Sequence, residues 1–201
     1  INFSVNRFGS VYTLGKETKD FLKQYYQKKG KTLEITETNV DSLKETILFC
    51  TRDGETRQMK KGEDYEVTIT GGKQDWKQYL YKVGEHNFKE EGTYQLILIS
   101  KDNAGNHSDN QKQGEEIVFV IDDSKPEIII SGLEKNGKYK EKQHMVQIKA
   151  TDYTGIKKVT VFLNEIPWKT WKGSEWEKQD GIFLPIKEKS TEQKLEVSII
   201  F

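Results

Sequence analysis

Residues 90–106 read EEGTYQLILISKDNAGN. A glycine stands two residues before Tyr94, and an apolar segment then leads through Ser100 into a turn rich in asparagine and glycine. Asparagine and glycine suit such a turn because both tolerate a positive φ. The stretch therefore predicts a β-strand that ends in a tight turn.

Strand patterns of the same kind recur along the chain. Apolar and polar residues alternate with a period of two in residues 33–36, 65–69, 146–150, 158–163 and 195–201. Residues two apart share one face of a strand, so each segment has an apolar face and a polar face. Turn residues separate the segments, at Asp53–Gly54, Gly71–Gly72, Asn136–Gly137 and Asp180–Gly181. This spacing predicts an all-β chain made of sandwiches rather than an α/β fold.

One segment has the period of a helix. Phe21 precedes Tyr25 by four residues, as Leu22 precedes Tyr26, which forms a single apolar stripe. Thr18 is a candidate N-cap, and the glycine at position 30 is a candidate stop signal. We expect a short helix near residues 16–29, inserted between the first two strands.

The best candidate for a domain boundary is residues 121–126, which read IDDSKP. An apolar strand ends there, and another begins at Ile128. Pro126 fixes φ and removes a backbone donor, so it stiffens a short connection and ends strand pairing. We expect one domain over residues 1–122 and a second over residues 126–201.

Several segments resemble bacterial immunoglobulin-like repeat domains. Residues 90–96 look like the tyrosine corner of immunoglobulin-like folds, in which a glycine placed like Gly92 lets the chain turn and a tyrosine placed like Tyr94 bonds back to the backbone. Residues 102–106, DNAGN, resemble the turn that joins the last two strands of such repeats. Residues 120–128 resemble their usual junction, and residues 150–159 resemble their B-to-C turn. The resemblance covers roughly residues 85–201 well and the earlier residues poorly.

The resemblance implies two tandem Ig-like β-sandwich domains, related to immunoglobulin and fibronectin-III modules. Such domains act as stalks, spacers and adhesion modules of bacterial cell-surface proteins, often in Gram-positive bacteria. The implied location is extracellular, at the cell surface or cell wall. The implied partners are neighbouring Ig-like domains of the parent chain and a host or matrix protein or glycan.

The composition narrows the class of partner. The chain has 201 residues, with 32 basic and 32 acidic side chains, so its formal net charge is zero. A nucleic-acid partner would favour a basic excess, and we expect none. No segment approaches the roughly 20 apolar residues that cross a membrane, so we expect no membrane insertion.

The sequence carries no recognisable catalytic motif. It lacks a nucleophile elbow, a phosphate-binding glycine loop and the spaced ligands of a zinc site. Cys50 lies in an apolar run and is expected to be a buried thiol, while the histidines at positions 86, 107 and 144 are far apart. We therefore expect no enzymatic activity. The competing hypothesis is an enzyme with an unrecognised site at the domain junction, marked by clustered acids.

Trp168, Trp171 and Trp176 lie close together in the second domain. Exposed tryptophans can stack on sugar rings, so these residues are candidate ligand-stacking side chains. This gives the alternative function, a carbohydrate-binding accessory region of a secreted enzyme. A small sandwich also needs large side chains in its core, and this role is the preferred interpretation.

Oxygen ligands cluster near the predicted domain ends. Asp122 and Asp123 are candidates for a weak Ca²⁺ site at the junction, and the ion would stiffen the connection. Other oxygen donors lie in turns, at Asp102, Asn103, Asn106 and Asp152. The preferred interpretation of these residues is that they form turns, and no other cofactor is expected.

The second domain shows fewer strand patterns than the first. Residues 195–201 align in pattern with residues 94–100, which a turn and a further strand follow in the first domain. We therefore expect the second domain to lack its last strand and to be truncated at its C-terminal side.

Overall fold

A computed structural model describes residues 5–71, 76–177, 179, 181–185 and 193–200. The chain divides into two compact units, of which unit 1 ends at Asp123 and unit 2 begins at Ser124. This division falls inside the connection between the last strand of unit 1 and the first strand of unit 2. None of the helices in the described ranges is long and apolar enough to cross a bilayer.

Unit 1 consists almost entirely of strands. Its elements are β1 (Val11–Leu14), α1 (Lys16–Leu22), β2 (Tyr26–Gln27), β3 (Leu33–Asn39), β4 (Leu43–Arg52), β5 (Glu55–Gln58), β6 (Tyr65–Gly71), β7 (Lys77–Val83), a 3₁₀ turn (Glu85–Phe88), β8 (Gly92–Asp102), β9 (His107–Asp109) and β10 (Ile117–Ile121). One sheet has the order β1-β3-β7-β6, and the other has the order β2-β10-β8-β4-β5, with β9 also paired to β8. These orders match the A-B-E-D and C-F-G sheets of an immunoglobulin-like sandwich.

The core of unit 1 lies between the two sheets. Leu33 and Ile35 of β3 share one buried cluster with Leu48 of β4 and with Leu96 and Leu98 of β8. Along β8 buried and half-buried positions alternate over the whole strand, as a strand requires when only one of its faces meets the core. Burial of this alternating apolar face is the main favourable term that holds the two sheets together.

The tyrosine corner is present at the start of β8. Gly92 has a φ of +152°, and a Cβ atom at this position would lie 2.8 Å from Cγ of Arg52 and 2.8 Å from Oδ2 of Asp53. The Tyr94 hydroxyl donates a hydrogen bond of 2.8 Å to the carbonyl oxygen of Glu90. Gly92 therefore permits the sharp entry into β8, and Tyr94 ties the strand to the chain that precedes it.

The inserted helix is shorter than the sequence pattern predicted. Helix α1 ends at Leu22, and Tyr26 already belongs to β2, which pairs in parallel with β10. The Gln27 side-chain amide donates to the carbonyl oxygens of Phe21 (2.7 Å) and Gln24 (2.5 Å). In a longer helix, backbone N–H groups would have bonded to these oxygens. The predicted stripe is therefore split, because Tyr25 and Tyr26 are exposed.

The predicted N-cap was also wrong. Gly15 occupies the N-cap position without a side-chain bond, whereas Thr18 is buried inside the helix. The Thr18 hydroxyl accepts a hydrogen bond of 2.7 Å from the backbone N–H of Glu34. Thr18 thus fastens α1 to β3 rather than capping the helix.

Unit 2 has the same arrangement of two facing sheets with fewer described strands. Its elements are β11 (Glu127–Ser131), β12 (Gln143–Thr151), β13 (Lys158–Leu163), β14 (Ile166–Lys172), α2 (Gly173–Trp176), β15 (Ile182–Pro185) and β16 (Leu195–Ile200). One sheet has the order β11-β12-β15 and the other the order β14-β13-β16. The core contains Val146, Ile148, Val159, Val161 and Trp176. The prediction of an all-β chain with two Ig-like sandwiches is confirmed.

The alignment of β16 with β8 agrees with the strand pairing. Strand β16 pairs antiparallel with β13, as β8 pairs antiparallel with β4. Strand β8 also pairs with β10, whereas β13 is the sole partner of β16 among the described residues. Whether unit 2 lacks its last strand stays a prediction.

Replacement of Gly92 by alanine should destabilise unit 1 by roughly 1–3 kcal/mol, because alanine disfavours this φ and its Cβ would clash with Arg52. The matched control is Gly71→Ala, since a Cβ at Gly71 meets no atom within 4 Å. Hydrogen–deuterium exchange of β8 amides in increasing urea measures the difference. Equal unfolding midpoints for the two variants would contradict the role assigned to Gly92.

Candidate functional site

The predicted calcium ligands Asp122 and Asp123 lie at the end of unit 1. The backbone N–H of Asp122 donates to the Gln27 carbonyl at 2.8 Å, and that of Asp123 donates to a carboxylate oxygen of Glu91 at 3.2 Å. Within the described ranges, no group of three or more histidine, cysteine, aspartate or glutamate side chains is arranged to hold a metal ion. The Ca²⁺ site at these two residues therefore stays a prediction.

The other predicted oxygen donors form turns. Asp102 Oδ1 accepts from the backbone N–H of Asn106 (2.8 Å), and Oδ2 accepts from the Asn106 amide (2.9 Å) and from the Asn6 amide (3.2 Å). Burial alone would raise the pKa of Asp102, but these hydrogen bonds outweigh it and hold the pKa below its usual value. In unit 2, Asp152 Oδ1 accepts from both the N–H and the hydroxyl of Thr154. Both aspartates thus serve the turns in which they lie.

The three tryptophans of unit 2 belong to its core or pack against it. Trp176 is 6% exposed and belongs to the buried cluster, while Trp168 and Trp171 are half-buried and pack against that cluster. The rings of Trp171 and Trp176 meet edge to face, with centroids 5.4 Å apart and planes inclined by 63°. The Lys169 ammonium lies 4.7 Å from the Trp168 ring centroid. This geometry differs from the coplanar exposed pair that would stack on sugar rings.

A surface groove of about 610 Å³ runs beside β11, β12 and α2 in unit 2. Its lining includes the polar side chains of Gln147, Lys149 and Glu177 together with the edge of Trp176. Asp152 also lines the groove, but its Oδ2 atom is enclosed and has no hydrogen-bond partner among the residues that the structure describes. An enclosed oxygen cannot contact a solute in the groove, and the other oxygen, Oδ1, accepts the hydrogen bonds of Thr154.

The densest group of buried polar side chains lies in unit 1, between its sheets. We name it the Glu37 cluster; its members are Ser10, Tyr12, Glu37, Asn39, Tyr81 and Ser100, and all are buried. The Tyr81 hydroxyl donates to Glu37 Oε2 at 2.8 Å. The Tyr12 hydroxyl lies 3.4 Å from Glu37 Oε1 and 2.7 Å from Ser100 Oγ. The first of these distances is long for a bond between oxygens, so the Tyr81 bond is the stronger contact to Glu37.

The remaining members extend the cluster along the sandwich. The Asn39 amide donates to Ser10 Oγ at 2.9 Å, and Ser100 Oγ lies 3.3 Å from the same oxygen. Glu37 and Asn39 belong to β3 in one sheet, whereas Ser100 belongs to β8 in the other. The cluster therefore joins the two sheets through polar contacts in addition to apolar packing.

The Glu37 cluster was not predicted from the sequence, although β3 contains a signal for it. The alternation that places Leu33 and Ile35 on one face continues to Glu37 and Asn39. A strict period of two thus assigns a carboxyl group to the core. The partners could not be inferred, because Tyr12, Tyr81 and Ser100 come from three other strands.

The chemistry of the Glu37 cluster is that of an internal hydrogen-bond network. Burial raises the pKa values of Tyr12 and Tyr81 far above the usual range, and the charge of the neighbouring Glu37 raises them further. The Glu37 side chain has no solvent exposure. A substrate cannot reach these groups in the folded sandwich, so the cluster supports structure rather than turnover.

A second titratable group lies in unit 2, where the loop after β11 leads into β12. His144 Nδ1 is 2.5 Å from Glu141 Oε1, and its Nε2 is 2.5 Å from the carbonyl oxygen of Gly132. Both partners are acceptors, so only an imidazolium, which carries a proton on each nitrogen, satisfies both. The Gly132 carbonyl and then Glu141 raise the pKa of His144, and the same contact lowers the pKa of Glu141. The charged histidine thus fastens the loop between these strands.

No family model and no curated protein matches the sequence. Similar solved structures include the fibronectin(III)-like modules of Clostridium thermocellum CbhA, with 11% identity and a TM-score of 0.30 over 93% of this chain and 84% of that chain. A chimeric titin Z1Z2–Z1Z2 tandem has 11% identity and a TM-score of 0.26, over 88% of this chain and 93% of that chain. With scores this low, the Ig-like fold of each unit rests on its own strand order and pairing.

The buried tyrosines predict a loss of stability at high pH. A folded-state pKa above the unfolded value means that, above about pH 10, the unfolded chain releases protons that the folded chain retains. The contribution of these tyrosines to the free energy of unfolding should therefore be constant below this pH and fall above it, by about 1.4 kcal/mol per pH unit for each buried tyrosine. Tyr81→Phe should remove one such contribution from the slope of the free energy of unfolding against pH. Urea unfolding between pH 9 and 11.5 measures this slope. The control is Tyr26→Phe, on the surface, and an unchanged slope in Tyr81→Phe would refute the assignment.

The His144 contacts predict a loop that loosens as pH rises. The folded state raises the pKa of His144. The stabilisation of the loop by its contacts is therefore fully present below the ordinary histidine pKa near 6.5 and is lost as pH rises through the folded-state pKa. Amides of residues 132–142 should then exchange faster, after correction for the intrinsic rate. Glu141→Gln should lower the pKa of His144 in an NMR titration, whereas Glu134→Gln in the same loop should leave it in place. Equal titration curves for both variants and the unmodified chain would exclude the ion pair.

Proposed function

We propose that this chain is a non-catalytic, extracellular spacer from a bacterial surface protein, in which tandem Ig-like sandwiches hold a binding region away from the cell. The observation that carries the proposal is that the N-terminal segment and the end of β10 lie at opposite ends of unit 1. The Asn6 amide donates to Asp102 at the end of β8, whereas Ile121 of β10 pairs with Gly92 at the start of β8. A unit connected in this way adds its length to a tandem array.

The connection between the units supports the same function. Only residues 122–126 separate the last strand of unit 1 from the first strand of unit 2. Pro126 is the last of them, and its ring fixes φ. A short, partly stiffened connection suits a spacer better than a long flexible linker does.

The internal chemistry supports a structural role over the alternatives. The buried polar groups of the Glu37 cluster bond to one another, and Trp176 lies in the core of unit 2. These positions favour a spacer over a carbohydrate-binding accessory region, which would present its aromatic rings to solvent. The bacterial and extracellular parts of the proposal rest on the DNAGN turn at residues 102–106 and on the junction at residues 120–128.

Single-molecule stretching between the two ends of the chain tests the proposal. A pull along β2 and β10 loads their parallel hydrogen bonds in shear, so these bonds must break together. The two bonds that flank the pairing run from the Val120 N–H to the Tyr25 carbonyl and from the Asp122 N–H to the Gln27 carbonyl, both at 2.8 Å. Unit 1 should therefore unfold at a higher force than a variant that lacks this pairing.

The matched variants are Gln27→Pro and Gln27→Ala. Proline removes the backbone N–H of residue 27 and fixes φ there. Alanine removes only the side chain and leaves the strand backbone intact. We expect a clear loss of unfolding force in Gln27→Pro and a small one in Gln27→Ala. A low unfolding force in the unmodified chain, equal to that of Gln27→Pro, would count against a spacer that sustains tension.

A further inference from the structure

The turn at residues 134–137 of unit 2 places an asparagine beside a glycine nitrogen. Asn136 is exposed and has a φ of +61°, in the left-handed region that asparagine tolerates better than most residues. The Gly137 N–H donates a hydrogen bond of 2.9 Å to the Glu134 carbonyl oxygen and closes the turn. Gly137 has no Cβ atom, so nothing on its own side chain hinders an approach of its backbone nitrogen to the Asn136 carboxamide.

The hydrogen bonds of the chain distinguish Asn136 from the other asparagines. Side-chain hydrogen bonds hold Asn6, Asn39, Asn87, Asn106, Asn110 and Asn164. In the part of the chain that the structure describes, only Asn103 and Asn136 have side chains without such a bond. Asn103 precedes Ala104, which carries a Cβ and whose N–H is donated to a carboxylate oxygen of Asp41 at 3.1 Å. Asn136 is therefore the one position that combines a free carboxamide with a following glycine.

We propose that Asn136 is a site of spontaneous deamidation, with water as the co-reactant. The Gly137 nitrogen loses its proton and attacks Cγ of Asn136. The bond between Cγ and the amide nitrogen breaks, and ammonia leaves with that proton, which gives a cyclic imide. Water then opens the ring at one of its two carbonyl carbons and yields aspartate or β-linked isoaspartate. No atom is oxidised or reduced in these steps.

The folded turn slows this reaction, because the Gly137 N–H is already donated to Glu134 and the attack requires that bond to open. A second hydrogen bond, from the Glu134 N–H to the Tyr139 hydroxyl at 2.8 Å, restrains the same turn. The turn lies outside the strands, since β11 ends at Ser131 and β12 begins at Gln143. Its opening is therefore a local event that leaves the sheets of unit 2 folded.

The two products change the loop in different ways. Aspartate keeps the backbone and adds one negative charge. Isoaspartate adds a methylene group to the backbone inside the turn, so the hydrogen bond that closes the turn cannot keep its present geometry. Gly132 and Glu141 of the same loop hold His144. Isoaspartate at Asn136 therefore loosens the loop that the charged histidine fastens. The inference is independent of the proposed spacer function.

Peptide mapping by mass spectrometry after prolonged incubation of the full chain at mildly alkaline pH tests the proposal. Asn136 should convert to aspartate and isoaspartate, whereas Asn103 should stay intact as the internal control. The chain unfolded in urea is the reference, and Asn136 should convert faster there than in the folded chain. In the isoaspartate fraction, amides of residues 132–142 should exchange faster with deuterium than in freshly purified chain.

Tyr139→Phe tests whether the turn controls the rate. The variant leaves the Glu134 N–H without its acceptor, so the turn should open more often, and Asn136 should deamidate roughly two- to ten-fold faster in the folded chain. In urea the variant and the unmodified chain should deamidate at equal rates, because the hydrogen bond is absent from both. The control is Tyr26→Phe in unit 1, which removes an exposed hydroxyl and should leave the folded rate unchanged.

Three results would overturn the proposal. The first is an Asn136 that stays intact in the folded chain while it converts in urea. The second is equal conversion at Asn103 and Asn136 in the folded chain, which would remove the distinction between them. The third is a folded rate in Tyr139→Phe equal to that of the unmodified chain, which would exclude control by the turn.

Discussion

The hydrogen bond between the Tyr81 hydroxyl and the Glu37 carboxyl fixes how the interior of unit 1 is organised. Glu37 has no solvent exposure, and an unpaired carboxyl group in such a position would be strongly destabilising. Tyr81 of β7 supplies the short contact at 2.8 Å, and Tyr12 of β1 approaches the second oxygen. Glu37 can therefore be buried only where β1, β3 and β7 pair in their observed register. A slip by one residue would turn Glu37 outward and the apolar face of β3 with it.

The hydrogen bonds of the Glu37 cluster bear on the function because they connect the strands of unit 1 to one another. Tyr12 and Ser100 carry the contacts from β1 and β3 to β8 in the opposite sheet. The chain also passes through unit 1 from end to end, because Asn6 contacts Asp102 at the end of β8 and Ile121 pairs with Gly92 at its start. A unit that is cross-linked by internal hydrogen bonds and traversed lengthwise by its chain suits a spacer.

Local patterns in the sequence were sufficient to predict several strands, among them β3, β6, β8, β12, β13 and β16, together with the tyrosine corner and the all-β class. The period of two in β3 and the glycine before Tyr94 are local signals, and the structure follows both. The end of α1 could not be predicted, because Tyr26 leaves the helix to pair with Val120, which is remote in sequence. The Glu37 cluster was missed for the same reason, since its partners come from distant strands. The roles of Trp168, Trp171 and Trp176 stayed open in the sequence because spacing alone cannot separate a core cluster from a stacking surface.

A double-mutant cycle on Glu37 and Tyr81 tests most directly the claim that their buried hydrogen bond organises the interior of unit 1. The variants are Glu37→Leu, Tyr81→Phe and their combination, and the measurement is the free energy of unfolding of unit 1 at neutral pH. Each single variant should be destabilised, and the double variant should be destabilised less than the sum, with a coupling of roughly 0.5–3 kcal/mol. Additive effects would contradict the claim. So would free energies of unfolding for Glu37→Leu and for Tyr81→Phe that both equal that of the unmodified chain.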